Sequence, residues 1–173
     1  MSTIRTIVVP YDFSEYAEAA LSLALELTRV LGAQLHLLHV LQPPAYTYGS
    51  ELYAGGPIQG LRDDHVALRR ASEHKLDDIA ARYSEPTLSI QTHLVEATAV
   101  AETIDAEATR LGTDLIILGT HGRTGLAHLL LGSIAEATLR HAPCPVLMVP
   151  PQRRGLVETL GTDAKRESAP GAF

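Results

Sequence analysis

The sequence predicts an α/β fold in which a single open, Rossmann-like, five-stranded parallel sheet carries helices on both faces. Short apolar segments rich in β-branched residues alternate along the chain with longer segments whose apolar residues follow helical spacing. Strands that alternate with helices require right-handed crossovers and an essentially parallel sheet. In such sheets ligands bind at the carboxyl ends of the strands, so residues that follow the strands are the first candidates for a site.

Composition limits the classes of function. The chain has 173 residues, with 46% hydrophobic and 20% charged residues, which suits one globular domain. A net charge of −6 argues against a nucleic-acid surface, and no apolar run is long enough for membrane insertion. The N-terminus lacks the features of a signal peptide. We therefore expect a cytoplasmic protein with a domain over residues 1–150 and a flexible tail over 151–173.

The first half of the chain predicts strand, helix, strand, loop and helix. Ile4–Pro10 is the first strand, Ser14 caps a helix that ends at Gly32, and Gln34–Leu41 is the second strand. The stretch 42–60 contains three prolines, four glycines and three tyrosines, which predicts a flexible surface loop that could act as a lid or a contact arm. A helix then fits residues 61–83, with Val66 and Ile79 on its apolar face.

The second half repeats the alternation. Thr87–Val95 is typical of a strand, Thr98 could cap the next helix, and Asp114–Leu118 is a fourth strand. A helix over Ser133–His141 and a strand over Pro145–Val149 complete the pattern.

A glycine-rich segment follows the fourth strand. Gly119, Gly122 and Gly125 come directly after it, and Gly132 precedes the helix that begins at Ser133. Glycines leave backbone N–H groups accessible, and N–H groups at the start of a helix attract anions. The segment therefore predicts a phosphate-binding site.

Two residues near this segment each allow two interpretations. Asp12, just after the first strand, could bind ribose hydroxyls or could simply form the turn into the helix. Ser133, with Glu136 three residues later, could complete a capping box or could donate to a phosphate. The pattern leaves both alternatives open.

Other motifs are absent or have an ordinary explanation. The chain contains no Walker A loop, G-x-G-x-x-G, G-x-S-x-G or H-E-x-x-H sequence. His36 and His39 should point to opposite faces of a strand rather than form a metal pair. The single cysteine, Cys144, is expected to be a buried thiol at the start of an apolar strand.

The spacing Gly119-x2-Gly122-x9-Gly132-Ser133 resembles the nucleotide-binding signature of the universal stress protein family, G-x2-G-x9-G-[ST]. The segment VVPYDFSEYAEAAL near the start resembles the same family, and the likeness covers about Thr3–Pro150. The chain departs from the family at Glu96–Ala99, where many members have Gly-x-Pro. The resemblance implies strand order 3-2-1-4-5 and a homodimer through strand 145–149.

The resemblance also implies a binding site for ATP, with ADP and AMP as alternatives and Mg²⁺ as an optional bridge between phosphates. The aspartate that binds ribose in the family matches Asp12, the groups that contact adenine match Val40 and Leu118, and the remaining positions contact phosphate or flank these sites. The implied nucleotide-binding residues are Pro10, Tyr11, Asp12, Val40, Leu118, Gly119, His121, Gly122, Arg123, Gly132, Ser133, Ile134 and Ala135.

Three hypotheses of function follow. The first is a dimeric, nucleotide-dependent switch in the stress response, since no positioned general base or carboxylate cage favours rapid catalysis. The second is slow ATP hydrolysis or phosphoryl or adenylyl transfer, aided by Asp12 or His121. The third is a module that binds a regulatory protein partner, such as a transporter or kinase, through the loop 42–60 or the tail.

Overall fold

A computed structural model describes residues 3–43, 59–122 and 131–150, and these residues form one parallel five-stranded sheet with flanking helices. With the strands numbered in chain order, the sheet order is 3-2-1-4-5, as predicted. The expected tail and nearly all of the expected loop lie outside the described residues. The elements in chain order are β1 Thr6–Pro10, α1 Glu15–Leu31, β2 Gln34–Leu41, α2 Gln59–Arg82, β3 Ser89–Glu96, α3 Val100–Arg110, β4 Leu115–Gly119, α4 Ser133–His141 and β5 Val146–Val149.

The central strand β1 supplies both halves of the core. Ile7 and Val9 pack with α1 and α2 on one face, whereas Val8 packs with α3 and α4 on the other. All three side chains are fully buried. A strand buried on both faces has no reason to alternate apolar with polar residues, which explains the continuous run of apolar residues in this segment.

The predicted ends of α1 are confirmed, and the predicted start of α3 is wrong. The Ser14 hydroxyl accepts a hydrogen bond from the Ala17 N–H at 3.2 Å, and Gly32 ends the helix in the left-handed conformation with φ of 63°. At α3 the cap position is occupied by Ala99, and no side chain caps the helix. Thr98 is therefore not the capping residue, because the helix starts one position later than its sequence pattern predicts.

The two histidines of β2 point to opposite faces of the sheet, as the odd spacing requires. His36 Nδ1 lies 2.9 Å from His93 Nε2 of β3, and the two rings stack with centroids 5.1 Å apart. On the other face His39 packs against Phe13. Burial lowers the pKa of both His36 and His93, and the charge of Arg110 lowers each further. The pair thus joins β2 to β3, with the His36 ring buried and the His93 ring half-buried.

Helix α2 packs through its second half. Leu76 and Ile79 are buried, whereas Val66, which was expected on the apolar face, is 46% exposed. Just beyond the helix, Tyr83 donates a hydrogen bond of 2.9 Å to Glu18 of α1. Glu18 also accepts a hydrogen bond from the Tyr11 hydroxyl, so this carboxylate ties the region after α2 to the residue that follows β1.

Candidate functional site

A cavity of about 200 Å³ opens at the carboxyl ends of β1, β2 and β4. After β1 the chain continues to β2 on one side, and β4 later adds to the other side of β1. The cavity therefore lies at the switch in strand order, which is the usual ligand position in open α/β sheets.

The cavity gathers the predicted site residues from four separate segments. Its lining includes every predicted residue except Arg123, which lies outside the described residues. The predicted residues that line it are Pro10, Tyr11, Asp12, Val40, Leu118, Gly119, His121, Gly122, Gly132, Ser133, Ile134 and Ala135. Their contact with a nucleotide stays a prediction, but their convergence on one cavity is a property of the fold.

Asp12 has the turn-forming role that the sequence allowed, and it also lines the cavity. Its Oδ1 accepts hydrogen bonds from the Ser14 N–H at 3.1 Å and from the Ser14 hydroxyl at 2.6 Å. Its Oδ2 faces the glycine segment, since a Cβ added at Gly122 would lie 2.8 Å from that oxygen. The two interpretations of Asp12 are therefore compatible, because each carboxylate oxygen has a different surrounding.

The three described glycines of the signature differ in what requires them. A Cβ at Gly119 would lie 2.8 Å from the backbone carbonyl carbon of Tyr16, so close packing of α1 on β4 requires this glycine. A Cβ at Gly122 would meet the Asp12 carboxylate. At Gly132 the nearest atoms would lie at 3.4 Å, which is an ordinary contact. Among these three glycines, only Gly132 has no described atom closer than 3.4 Å to an added Cβ.

The amino end of α4 faces the cavity without a side-chain cap. Gly132 is the cap residue, and the first hydrogen bond of the helix runs from the Glu136 N–H to the Gly132 carbonyl at 2.9 Å. The N–H groups of Ser133, Ile134 and Ala135 precede that bond and so have no partner within the helix. The capping-box interpretation of Ser133 is wrong, because Ser133 is the first residue of the helix rather than its cap.

Thr120, which directly follows β4, is hydrogen-bonded both to β5 and to the residue before α4. The Thr120 N–H donates to the Val149 carbonyl at 3.1 Å, and the Gly132 N–H donates to the Thr120 carbonyl at 2.8 Å. The His121 ring contacts the Thr120 hydroxyl at 3.1 Å and lies 5.2 Å from the Tyr16 ring. The hydrogen bond from Gly132 thus holds the start of α4 beside the end of β4, next to the cavity that Gly122 and Gly132 both line.

The cavity also contains residues that sequence reasoning did not assign to it. Val100 and Ile104 lie one turn apart on α3, and this i, i+4 spacing lets both side chains line the cavity. Gln42 also lines it, and its side-chain amide donates to the Thr98 carbonyl at 3.3 Å. The unassigned lining residues are Ala17, Leu38, His39, Gln42, Val100 and Ile104. Leu38, His39 and Gln42 could have been found from their position at the carboxyl end of β2.

Two features are absent from the described residues. No group of three or more histidine, cysteine or acidic side chains in residues 3–43, 59–122 and 131–150 is arranged to hold a metal ion. Over the same ranges, no helix has both the length and the apolar character needed to cross a membrane.

Comparison with known proteins assigns this chain to one family. A sequence model of the universal stress protein family matches residues 3–150. The chain is 35% identical to universal stress protein A homolog 2 of Coxiella burnetii over 73% of this chain and 80% of that protein. A universal stress protein from Burkholderia pseudomallei, solved by crystallography, shares 33% identity with a TM-score of 0.65 and covers 88% of this chain and 99% of its own. The solved protein MJ0577 shares 26% identity with a TM-score of 0.72, over 88% of this chain and 99% of its own.

Proposed function

This chain belongs to the universal stress protein family, and we propose that it is a cytoplasmic regulator that binds an adenine nucleotide, with ATP as the first candidate, in the cavity at the carboxyl edge of the sheet. The proposal rests mainly on one observation. The uncapped amino end of α4 and the carboxylate of Asp12 line the same cavity, together with Gly119, Gly122 and Gly132.

The amino end of α4 suits the phosphates. Three backbone N–H groups that have no helical partner, together with the positive end of the helix dipole, stabilise an anion without requiring a lysine. The Ser133 hydroxyl caps no helix, so a hydrogen bond to phosphate would not compete with a structural role. A bound phosphate would also explain Gly132, because no described atom of the protein lies closer than 3.4 Å to a Cβ added at that position.

Other residues of the cavity suit the nucleoside. Asp12 supplies a carboxylate that can accept hydrogen bonds from ribose hydroxyls. The lining also includes the apolar side chains of Val40, Val100, Ile104 and Leu118, and a purine ring requires an apolar surface of this kind. Two solved universal stress proteins hold cAMP and dAMP, but at 21% and 20% identity their likeness supports only the fold.

The family resemblance further supports a homodimer through β5. This strand forms one edge of the sheet, and Leu147 on it is 38% exposed. Exposed edge strands readily pair with another strand. We propose that two copies pair along β5 and that the occupied site acts through the dimer. Mg²⁺, where it takes part, would be held by the phosphates of the ligand, and slow hydrolysis stays a hypothesis that an assay of phosphate release decides.

The decisive experiment is to denature the purified protein and identify any released nucleotide, followed by calorimetric titration of ligand-free protein with ATP and magnesium. ATP at a hundred times its dissociation constant should stabilise the fold by about 2.7 kcal/mol. Asp12→Asn should weaken ATP binding by about tenfold or more, because a hydrogen bond to a charged group is lost.

Asp114→Asn is the matched control for this substitution. Asp114 is also a carboxylate beside a strand, and it accepts hydrogen bonds from the Arg5 and Thr6 N–H groups. It precedes β4 and therefore lies at the amino edge of the sheet, away from the cavity. Wild-type protein that shows neither released nucleotide nor a thermal shift with ATP would contradict the proposal.

A further inference from the structure

Phe13 has an unusual backbone conformation beside the proposed ribose-binding residue. Its φ is 65°, and it is the only non-glycine residue with positive φ in the described residues. A bulky side chain in the left-handed region is disfavoured by contacts with its own backbone. Such a conformation persists only where surrounding contacts enforce it, and such positions concentrate at functional sites.

The contacts that enforce it come from an aromatic cluster. The Phe13 ring meets the Tyr11 ring edge to face, with centroids 5.4 Å apart, and lies 4.7 Å from the His39 ring. The Lys75 ammonium of α2 lies 5.6 Å from the same ring centroid. The ring is therefore held by groups from the turn, from β2 and from α2, and their packing offsets the backbone cost.

His39 also fixes the residue that precedes Asp12. The Tyr11 N–H donates to the Leu38 carbonyl at 2.8 Å, and His39 Nδ1 lies 2.7 Å from the Tyr11 carbonyl oxygen. Because a carbonyl oxygen only accepts hydrogen bonds, Nδ1 must carry the hydrogen. One buried side chain thus contacts both the Tyr11 backbone, through Nδ1, and the Phe13 ring, through a tilted ring contact.

The left-handed turn at Phe13 determines where the Asp12 carboxylate points. It brings Ser14 back toward Asp12, so that the Ser14 N–H and hydroxyl both bind Oδ1. That leaves Oδ2 directed at the glycine segment, close to Gly122. With Tyr11 anchored on one side and Ser14 on the other, the carboxylate is held in one orientation at the edge of the cavity.

We propose that Phe13 and His39 are positioning residues that orient Asp12 for recognition of the ribose hydroxyls of the nucleotide. The inference rests on the proposed function and adds to it the source of sugar specificity. A carboxylate held in one orientation distinguishes ribose from deoxyribose, because it loses no conformational freedom when it binds the hydroxyl. A mobile carboxylate discriminates less.

The test compares ATP with 2′-deoxy-ATP and 3′-deoxy-ATP by calorimetric titration. Wild-type protein should bind at least one deoxynucleotide about tenfold or more weakly than ATP. Phe13→Gly keeps the left-handed conformation accessible but removes the ring. In this variant the dissociation constant of the deoxynucleotide should exceed that of ATP by no more than about threefold. The change should come mainly from weaker binding of ATP, because the deoxynucleotide never made the lost hydrogen bond.

Two further variants at His39 separate its hydrogen bond from its packing. His39→Asn keeps a donor near the position of Nδ1 and should retain part of the discrimination, whereas His39→Phe keeps an aromatic ring but removes the donor and should lose it. If Phe13→Gly fails to fold, these two variants still test whether the contacts of His39 orient Asp12. Ile79→Ala is the control for lost core packing, because Ile79 belongs to the same core but lies outside the cavity.

A purely structural role would give a different result. In that case the Phe13 and His39 variants would melt earlier, as Ile79→Ala does, but would keep the wild-type ratio, and the inference would be overturned. Wild-type protein that binds ATP and both deoxynucleotides equally would also overturn it while leaving the proposed function intact. Wild-type protein that binds no nucleotide would remove both.

Discussion

Gly119→Ala should destabilise the fold even though Gly119 belongs to the nucleotide-binding signature. The added Cβ would lie 2.8 Å from both the backbone carbon and oxygen of Tyr16, and 2.9 Å from its Cβ. These atoms belong to the first turn of α1, so a rotamer change cannot relieve the contact and the helix must move away from β4. Overpacking of this kind typically costs about 1–3 kcal/mol.

The expected loss of melting temperature is roughly 2–12 °C, from about 2–4 °C for each kcal/mol in a domain of this size. Urea unfolding followed by circular dichroism measures the free energy directly, without nucleotide. Gly132→Ala is the matched control, because its Cβ would lie no closer than 3.4 Å to any neighbour among the described residues and its φ of −70° suits any residue. Its free energy of unfolding should be unchanged or higher by up to about 1 kcal/mol, through the less flexible unfolded chain.

The two alanine variants should also differ in binding. Gly132→Ala should fold normally and bind ATP more weakly, since the methyl group would occupy space at the amino end of α4. If Gly119→Ala unfolds at the same urea concentration as wild type, close approach of α1 to β4 is not what requires this glycine. A Gly132→Ala protein that binds ATP like wild type would remove Gly132 from the proposed phosphate site.

Two further predictions concern capping and pH. Ser133→Ala should change the free energy of unfolding by less than about 0.5 kcal/mol, whereas Ser14→Ala, which removes a helix cap, should lower it by about 0.5–2 kcal/mol. Urea unfolding measures both variants. Equal losses of stability would show that Ser133 does cap α4. Burial lowers the pKa of His36 and His93 in the folded protein, so their neutral forms stabilise it. Since the unfolded chain then binds more protons, this stabilisation is present above about pH 6.5 and is lost as pH falls below it. The urea midpoint should therefore differ less between pH 7.5 and pH 5.5 in His93→Gln than in the wild-type protein. An equal difference would contradict the assignment of this pH dependence to His36 and His93.

The position of the site could be predicted because strand ends are visible in the sequence. Pro10 ends β1, Leu118 and Gly119 end β4, and all parallel strands place their carboxyl ends at one edge. Asp12 and the glycine segment therefore had to converge. The helix ends were predicted less well, since Thr98 and Ser133 are good capping residues by type but neither caps in the structure. Capping depends on where the backbone leaves the helical conformation, and residue type alone does not determine that position.

The sequence alone determined the order of elements, the parallel sheet and the cavity edge, because periodicity, strand ends and glycine spacing are local properties. Only the tertiary structure decided why Gly119 is a glycine, since Tyr16 reaches it through the packing of α1 on β4. It likewise decided that Phe13 adopts a left-handed backbone, which requires contacts from His39 and Lys75. Contacts between segments distant in the chain arise only when helices pack on the sheet, and local patterns do not encode their distances.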